Sequence, residues 1–285
     1  MPELPEVEVL VRHLAPHLRG RTVHGVEVRH EKVIRPSTAE ELRRRLKGRA
    51  FGQVTRRAKF LRFELDGPDA ASEPLTVIGH LGMTGRMFLQ PTGEPLPKHA
   101  AVALDLGDCR FVFEDTRYFG RFNLDPTALD GLGPEPLTGD FTAEAFAAAL
   151  ARSGRPIKVK LLDQSVVAGV GNIYASEALF RAGISPKRPA RRLTRAQVVR
   201  LRETVREVLA EAIECGSTLP LDFGGGRDGL FYYGTVAGNE SKFYQERLRV
   251  YDRKGEPCVA CGTSIRHLVQ AARSTYWCPR CQPAR

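Results

Sequence analysis

Val7, Leu10, Val11, Leu14 and Leu18 recur at the spacing of one buried helical face. Pro5 suits a first helical turn, Glu3, Glu6 and Glu8 complement its positive end, and Gly20 can end it, so a helix is predicted at the start of the chain. From Thr22 to about Leu124 the pattern shortens to strand-like runs: Phe60 to Leu65, Leu75 to Ile78, Val102 to Leu106 and Arg110 to Phe113, the last two joined by a hairpin turn at Gly107-Asp108. These runs predict a β-rich sandwich or barrel carrying the N-terminal helix. Asp125 to Gly139, dense in Pro, Gly and Asp, predicts a linker and a domain boundary. Helical periodicity then takes over in Phe141 to Ala151, Ile157 to about Gln164, Asn172 to Ala182 and Thr194 to Cys215. Thr194 and Gln197 have the spacing of a capping box, and Leu201, Val205, Val208, Leu209 and Ile213 form a core stripe. Asp222 to Asn239 is rich in Gly with little periodicity and predicts a mobile surface loop. The fold class expected is α+β in two domains.

A chain of 285 residues with 42% hydrophobic and 27% charged positions builds a core without disulfides, which excludes a peptide hormone, a knottin or a long disordered scaffold. Charge changes the picture more. Forty-three Lys and Arg against 33 Asp and Glu leave a net charge of +10, which points to a polyanionic partner, nucleic acid or an acidic membrane surface. The excess concentrates at the end, where Ser241 to Arg285 carries nine basic residues against three acidic ones. No apolar run reaches the roughly 18 to 20 residues of a membrane span, and the start lacks the basic and apolar regions of a secretory signal. A cytoplasmic protein with no membrane partner is expected.

Four of the six cysteines form Cys258-x2-Cys261 and Cys278-x2-Cys281, separated by sixteen residues. Four soft thiolates at two short spacings close a tetrahedral zinc site with no open position, so one structural Zn2+ is expected; two disulfides or four unrelated thiols are the alternatives. Arg266, Arg273 and Arg280 give such a finger a basic face for a phosphate backbone. Cys109 and Cys215 read as small core residues. At the other end, a small second residue normally leads to removal of Met1, leaving Pro2 as a secondary amine with an appreciable neutral fraction near pH 7. Such an amine can attack an electrophilic carbon and form an iminium, with Glu3 beside it as acid or base. Taken alone, the same residues are also an ordinary helix entry.

The start, Met1-Pro2-Glu3-Leu4-Pro5-Glu6-Val7-Glu8, strongly resembles that of the formamidopyrimidine-DNA glycosylases of the Fpg/Nei family. The resemblance continues through residues 56–60 (Arg-Arg-Ala-Lys-Phe), 80–85 (His-Leu-Gly-Met-Thr-Gly), 115–120 (Asp-Thr-Arg-Tyr-Phe-Gly), 169–177 (Gly-Val-Gly-Asn-Ile-Tyr-Ala-Ser-Glu) and 253–258 (Arg-Lys-Gly-Glu-Pro-Cys), in that order and over nearly the whole chain. It implies a bifunctional enzyme that excises 8-oxoguanine and formamidopyrimidines from damaged double-stranded DNA and then cleaves the abasic strand by β,δ-elimination. In that reading Pro2 is the nucleophile on the sugar C1′ and Glu3 protonates or relays protons during ring opening. Glu6 supports the same pocket, while Lys59 and Arg273 grip phosphates. A duplex hides its bases, so the nucleotide must be flipped out and the gap filled. The resemblance implies Met83, Arg117 and Phe119 as the inserted residues, with Arg117 facing the orphaned base. It adds Lys158 and Asn172 near the DNA backbone, His80 as a phosphate candidate, and His99 as a further DNA contact. By residue type alone Lys59 and Glu6 read as solvated charges, Met83 and Phe119 as core, and Gly169 to Asn172 as a turn whose amides and helix end can hold a phosphate.

The resemblance also implies the division of the chain: a catalytic β-sandwich over 1–130, a linker over 131–145, a helix-two-turn-helix region with the lesion loop over 146–240, and the zinc finger over 241–285. A positively charged cleft, a monomer, and a nucleoid-associated enzyme of a bacterial-type cytoplasm complete the expectation. Two departures stand out: Thr116 and Tyr118 occupy positions where members often have Pro and Arg, and Gly224-Gly225-Gly226 with Phe231-Tyr232-Tyr233 do not align to the lesion-capping loop. The rival within the family is the endonuclease VIII branch, which acts on oxidised pyrimidines and typically has Gly in the place of Leu4. A non-catalytic zinc-finger DNA-binding protein explains the charge and the cysteines but leaves Pro2-Glu3 without a role.

Overall fold

The computed structural model describes residues 2–69, 72–216, 221–222, 232–233 and 247–284. They fall into two compact units, one within Met1–Pro2, Glu6–Asp130 and Leu219–Ser241, the other within Glu3–Pro5, Gly131–Thr218 and Lys242–Arg285. The chain opens with α1 (Leu4–Leu18), whose Val7, Leu10, Leu14 and Leu18 are fully buried, as their spacing predicts. Glu8 on this helix accepts from Arg56 Nε at 2.9 Å and from Arg12 Nε at 2.8 Å, so its outer edge is tied to the first sheet by charge.

That sheet is built from β2 (Ala50–Arg57), β3 (Phe60–Asp66), β4 (Leu75–His80) and β8 (Arg121–Asn123), antiparallel and in that order. The second sheet runs β1 (Gly25–Val28), β6 (Ala100–Asp105), β7 (Cys109–Asp115), β5 (Gly85–Pro91). Strict alternation along β3 turns Leu61, Phe63 and Leu65 inward. Phe63 meets Phe111 of the opposite sheet at 5.5 Å between ring centroids, and Phe111 meets Phe122 at 5.6 Å, so an aromatic seam joins the two layers. The expected sandwich with its N-terminal helix is therefore present, and α2 (Ala39–Leu46) covers one end with Leu42 and Leu46.

The second unit holds α3 (Ala143–Ala151), α4 (Ile157–Leu161), α5 (Asn172–Arg181) and α6 (Arg195–Glu214). The capping box at Thr194 and Gln197 is formed from both sides, and the stripe of α6 is buried. Residues 125–139, expected as a linker, carry a 3-10 turn at Pro126–Leu129, and the Gly133 amide donates to the Gln164 carbonyl at 2.8 Å. The Ala168 amide likewise donates to the Pro134 carbonyl at 3.0 Å. From Gly131 onward this turn-rich stretch belongs to the second unit, and both of these amides bond within it. Two short strands, β9 (Leu221–Asp222) and β10 (Tyr232–Tyr233), pair antiparallel. The remainder of the expected mobile loop, with Gly224–Gly226, lies outside the described residues. The chain closes on β11 (Arg266–Gln270) and β12 (Arg273–Trp277), an antiparallel hairpin whose two-residue turn puts Ala271 and Ala272 at φ of 46° and 58°. Gln282 Nε2 donates to the Ile184 carbonyl at 2.9 Å, which fixes the finger to the helices.

Candidate functional site

Three of the expected residues meet at one edge of the first unit. Met83, in the turn between β4 and β5, is 45% exposed, and Phe119, between β7 and β8, is 48% exposed, so neither is a core residue. The Arg117 guanidinium lies 3.4 Å from Met83 Sδ and 4.9 Å from the Phe119 ring centroid. Two loops thus present one wedge of a thioether, a ring and a guanidinium. Asp115, fully buried, holds both loops: Oδ1 accepts from Thr84 Oγ1 at 2.6 Å and from the Arg117 amide at 3.2 Å, and Oδ2 accepts from the Gly120 amide at 2.7 Å. Gly82, at φ 62°, permits the approach, because a Cβ there would lie 2.7 Å from the Gly120 nitrogen. Tyr118 has φ 53° and stacks on His30 at 3.6 Å between centroids. The His99 ring stands edge-on to it at 6.4 Å.

Lys59 occupies the two-residue turn between β2 and β3 but is only 7% exposed, unlike a solvated strand-end lysine. Its charge acts on His80, whose pKa falls from 6.5 to about 4, through burial first and then the fields of Lys59 and Arg121. His80 is therefore neutral at physiological pH. Its Nδ1 accepts from the Gly82 amide at 3.0 Å, so the proton sits on Nε2, a donor without charge. Pro2 and Glu6 are both buried.

Glu3 belongs to the second unit. Helix α5 has no side-chain cap of its own: Gly171 precedes it, and Glu3 Oε1 takes the Ile173 amide at 2.9 Å, with Oε2 3.5 Å from that of Tyr174. The carboxylate satisfies orphan donors at the positive end of the helix dipole. A Cβ on Gly171 would lie 2.3 Å from Glu3 Cδ, and one on Gly169 2.6 Å from Leu4 Cδ1, which explains both glycines. The Leu4 amide donates to the Gly169 carbonyl at 3.1 Å, and Gln164 fastens the turn by accepting from the Gly169 amide at 2.9 Å.

Next to Glu3 in the same unit, the buried Lys158 Nζ donates to Asn172 Oδ1 at 2.6 Å, to the Ser274 carbonyl at 2.5 Å and to Thr275 Oγ1 at 2.9 Å. Burial dominates its pKa, with Glu3 raising and Arg273 lowering it, and the value falls from 10.5 to about 8. Lys158 thus bonds Asn172 and feels the charges of both Glu3 and Arg273. Four participants have no role assigned by the sequence: Asp115 and Glu177, which stand inside matched blocks, and Gln164 and Thr275, which do not. Glu177 is fully buried and accepts the amides of Arg249, Val250 and Tyr251 at 2.8 to 3.0 Å; burial raises its pKa while those amides oppose it.

The four finger cysteines have Sγ atoms all within 4.8 Å of one another, with Cys258 to Cys281 at 3.9 Å and Cys261 to Cys278 at 3.5 Å. Four ligands at the zinc–sulfur distance in a tetrahedron stand about 3.8 Å apart, so the set fits one structural zinc. The Ala260 and Cys281 amides each donate to a sulfur at 3.4 Å, that of Cys258 and that of Cys278.

Family models match in three consecutive blocks: the formamidopyrimidine-DNA glycosylase N-terminal domain over residues 1–122, its H2TH domain over 132–221, and the zinc finger found in FPG and IleRS over 255–284. Among curated relatives, formamidopyrimidine-DNA glycosylase of Carboxydothermus hydrogenoformans is 39% identical over 99% of this chain and 100% of its own length. That of Nocardia farcinica is 44% identical over 99% and 98%. Among solved structures, a Lactococcus lactis FPG mutant bound to DNA containing Fapy-dG is similar with a TM-score of 0.86 at 31% identity, covering 99% of this chain and 100% of that one. A MutM complex with DNA containing carbocyclic 8-oxo-G gives 0.86 at 30% identity over 99% and 100%. Blocks, length and fold agree, and the chain belongs to the formamidopyrimidine-DNA glycosylase family.

Proposed function

We propose that this protein excises oxidised purines, 8-oxoguanine and formamidopyrimidines, from duplex DNA and then cleaves the abasic strand. The observation that carries the reading is Glu3, an acid held by the backbone of α5 and covalently next to Pro2. With Met1 removed, the Pro2 amine attacks C1′; the new C1′–N bond forms as the glycosidic bond breaks, and the base departs with a proton. Ring opening then needs a proton on O4′, which Glu3 delivers, and successive eliminations expel the 3′ and 5′ phosphates. Glu6 lends a second buried carboxyl to the Pro2 end of the chain.

Met83, Arg117 and Phe119 fill the gap left by the flipped nucleotide, which suits their exposure and mutual contact. Lys59, His80, His99, Lys158, Asn172 and Arg273 bind phosphate and sugar, positioning the duplex without reading its sequence. Zinc, when bound by Cys258, Cys261, Cys278 and Cys281, closes the finger and holds the hairpin that carries Arg273. In this reading 1–130 is the catalytic sandwich, 131–145 the linker, 146–240 the helix-two-turn-helix region and 241–285 the finger. The enzyme works as a monomer on damaged chromosomal DNA at the nucleoid. No helix among the described residues is long and apolar enough to cross a membrane.

Borohydride trapping on duplexes carrying 8-oxoguanine opposite C, beside an oxidised-pyrimidine duplex, tests this. A covalent adduct on Pro2, located by mass spectrometry, formed faster on the purine lesion and absent from Pro2→Gly is the expected result. Faster trapping on the pyrimidine would move the enzyme to the endonuclease VIII branch. No adduct from Met1-processed protein that binds the duplex would remove the enzymatic reading.

A further inference from the structure

Beside the wedge, the first unit holds a hollow of about 510 Å³ lined by Glu31, Arg35, Pro36, Ser37, Thr38 and Arg121. Its walls are fixed from two directions. The Arg35 carbonyl accepts from Asn123 Nδ2 at 2.5 Å, and Ser37 Oγ accepts from the Leu124 amide at 3.1 Å, so the 35–37 segment is stapled along the end of β8. Arg121 opens β8, paired in register with His80 of β4, two residues after Phe119. Both guanidinium side chains are exposed on this fixed backbone. Neither has an ion pair among the described residues, and Arg121 spends one N–H on the Gly120 carbonyl at 3.2 Å. Thr38 Oγ1 accepts the Glu41 amide as the cap of α2, which leaves its own proton to donate. Two cations outweigh the single carboxylate of Glu31, and Lys32, next in the chain, sets its Nζ 4.8 Å from the Phe119 ring centroid. No aromatic ring lines the hollow, so it offers nothing for a base to stack on.

We infer that this hollow is a phosphodiester-binding subsite in which Arg35 and Arg121 seat the DNA backbone that flanks the wedge. A guanidinium presents paired N–H donors that match two phosphate oxygens, and two of them converging on one hollow fix a phosphate in place rather than merely attracting it. The subsite rests on the proposed action on duplex DNA. It assigns the wedge a strand anchor within its own unit, next to the residues that enter the stack.

The test is fluorescence anisotropy of the full-length zinc-loaded protein on a duplex with an abasic-site analogue, across about 50 to 200 mM salt. Wild type, Arg35→Ala, Arg121→Ala, the double variant and Arg121→Lys are compared. Each alanine variant is expected to weaken binding roughly three- to tenfold and to lower the slope of log affinity against log salt by about one, the double variant by about two. Arg121→Lys should keep the slope and lose part of the affinity, since it keeps charge without the fork. Neutral methylphosphonate linkages placed one at a time then locate the phosphate: the position that weakens wild type and leaves the double variant unaffected. Wild-type affinity and slope in both single variants would overturn the inference. So would variants that lose titratable inorganic phosphate but keep DNA affinity, since the hollow would then take only a free anion. A wild type that neither prefers the lesion duplex nor traps on it would overturn the function itself, a separate outcome.

Discussion

Replacing Asp115 by alanine should free the wedge while leaving the sandwich folded. The carboxylate is fully buried and accepts from Thr84 Oγ1, the Arg117 amide and the Gly120 amide. Hydrogen bonds to a charged group contribute about 1.5 to 3 kcal/mol each, but a donor that regains water on mutation loses much less. Thr84 and Arg117 stand in partly exposed surroundings, whereas the Gly120 bond is buried, so one orphaned N–H dominates the cost. That sets the loss at about 2 to 3 kcal/mol, or roughly 30- to 150-fold faster local opening. Native-state hydrogen exchange reads it directly: the amides of Gly120 and Arg117 should lose protection while Phe111 and Phe113 in β7 keep theirs. Abasic-duplex affinity should fall by about tenfold as the wedge loses its fixed geometry. Asn in place of Asp keeps one acceptor and turns an NH2 toward a donor, so it should fall between the two. Unchanged protection at Gly120, or an even loss along β5 and β7, would refute the assignment of Asp115 as the hinge pin of both loops.

Four further outcomes follow from the second unit. Because the Lys158 pKa is lowered to about 8, its charge leaves as pH rises through that value; DNA affinity of wild type should therefore fall between about pH 7 and 9 beyond the trend of Lys158→Met, measured by titration at fixed salt. The unfolded lysine holds its proton up to 10.5, so the unfolded state binds more protons between about 8 and 10.5 and stability should rise with pH there; a falling denaturation midpoint in wild type relative to Lys158→Met would contradict this. Glu177→Gln should raise hydrogen exchange at Arg249, Val250 and Tyr251 and weaken DNA binding about tenfold while the chain retains one zinc, since it disturbs the docking of the finger and not its ligands. Metal loss in that variant would argue against a positioning role. Substituting Ala271→Asn together with Ala272→Gly should stabilise the hairpin by about 1 kcal/mol, because both positions have positive φ that alanine adopts only at a cost; slower zinc release to a chelator is the measurement, and faster release the refutation.

Periodicity made α1, α3, α5 and α6 legible, and the Thr194 box was readable because a cap is written within three residues. It did not reveal β5, whose burial is nearly continuous and so lacks alternation, or α2, where Arg43, Arg44 and Arg45 mask two core leucines. The motifs named Met83, Arg117 and Phe119 as partners, and the structure adds what no motif states, namely that a carboxylate holds them. Asp115, Gln164 and Glu177 share one reason for being missed: each acts on backbone amides, and an amide has no signature in the sequence. Glu3 was legible as a reactive group but not as a helix cap, because its partner lies 170 positions away.

That separation has a bearing on how the protein is made. A ribosome delivers Glu3 first and the amide of Ile173 only after most of the chain. During that interval the nascent polypeptide carries the proposed amine nucleophile with no anchored acid beside it. It follows that a chain stalled before residue 173 has Pro2 and Glu3 but not the amide that holds the Glu3 carboxylate, and in the proposed mechanism its amine lacks an anchored acid. In the proposed mechanism the anchored acid therefore arrives only with α5.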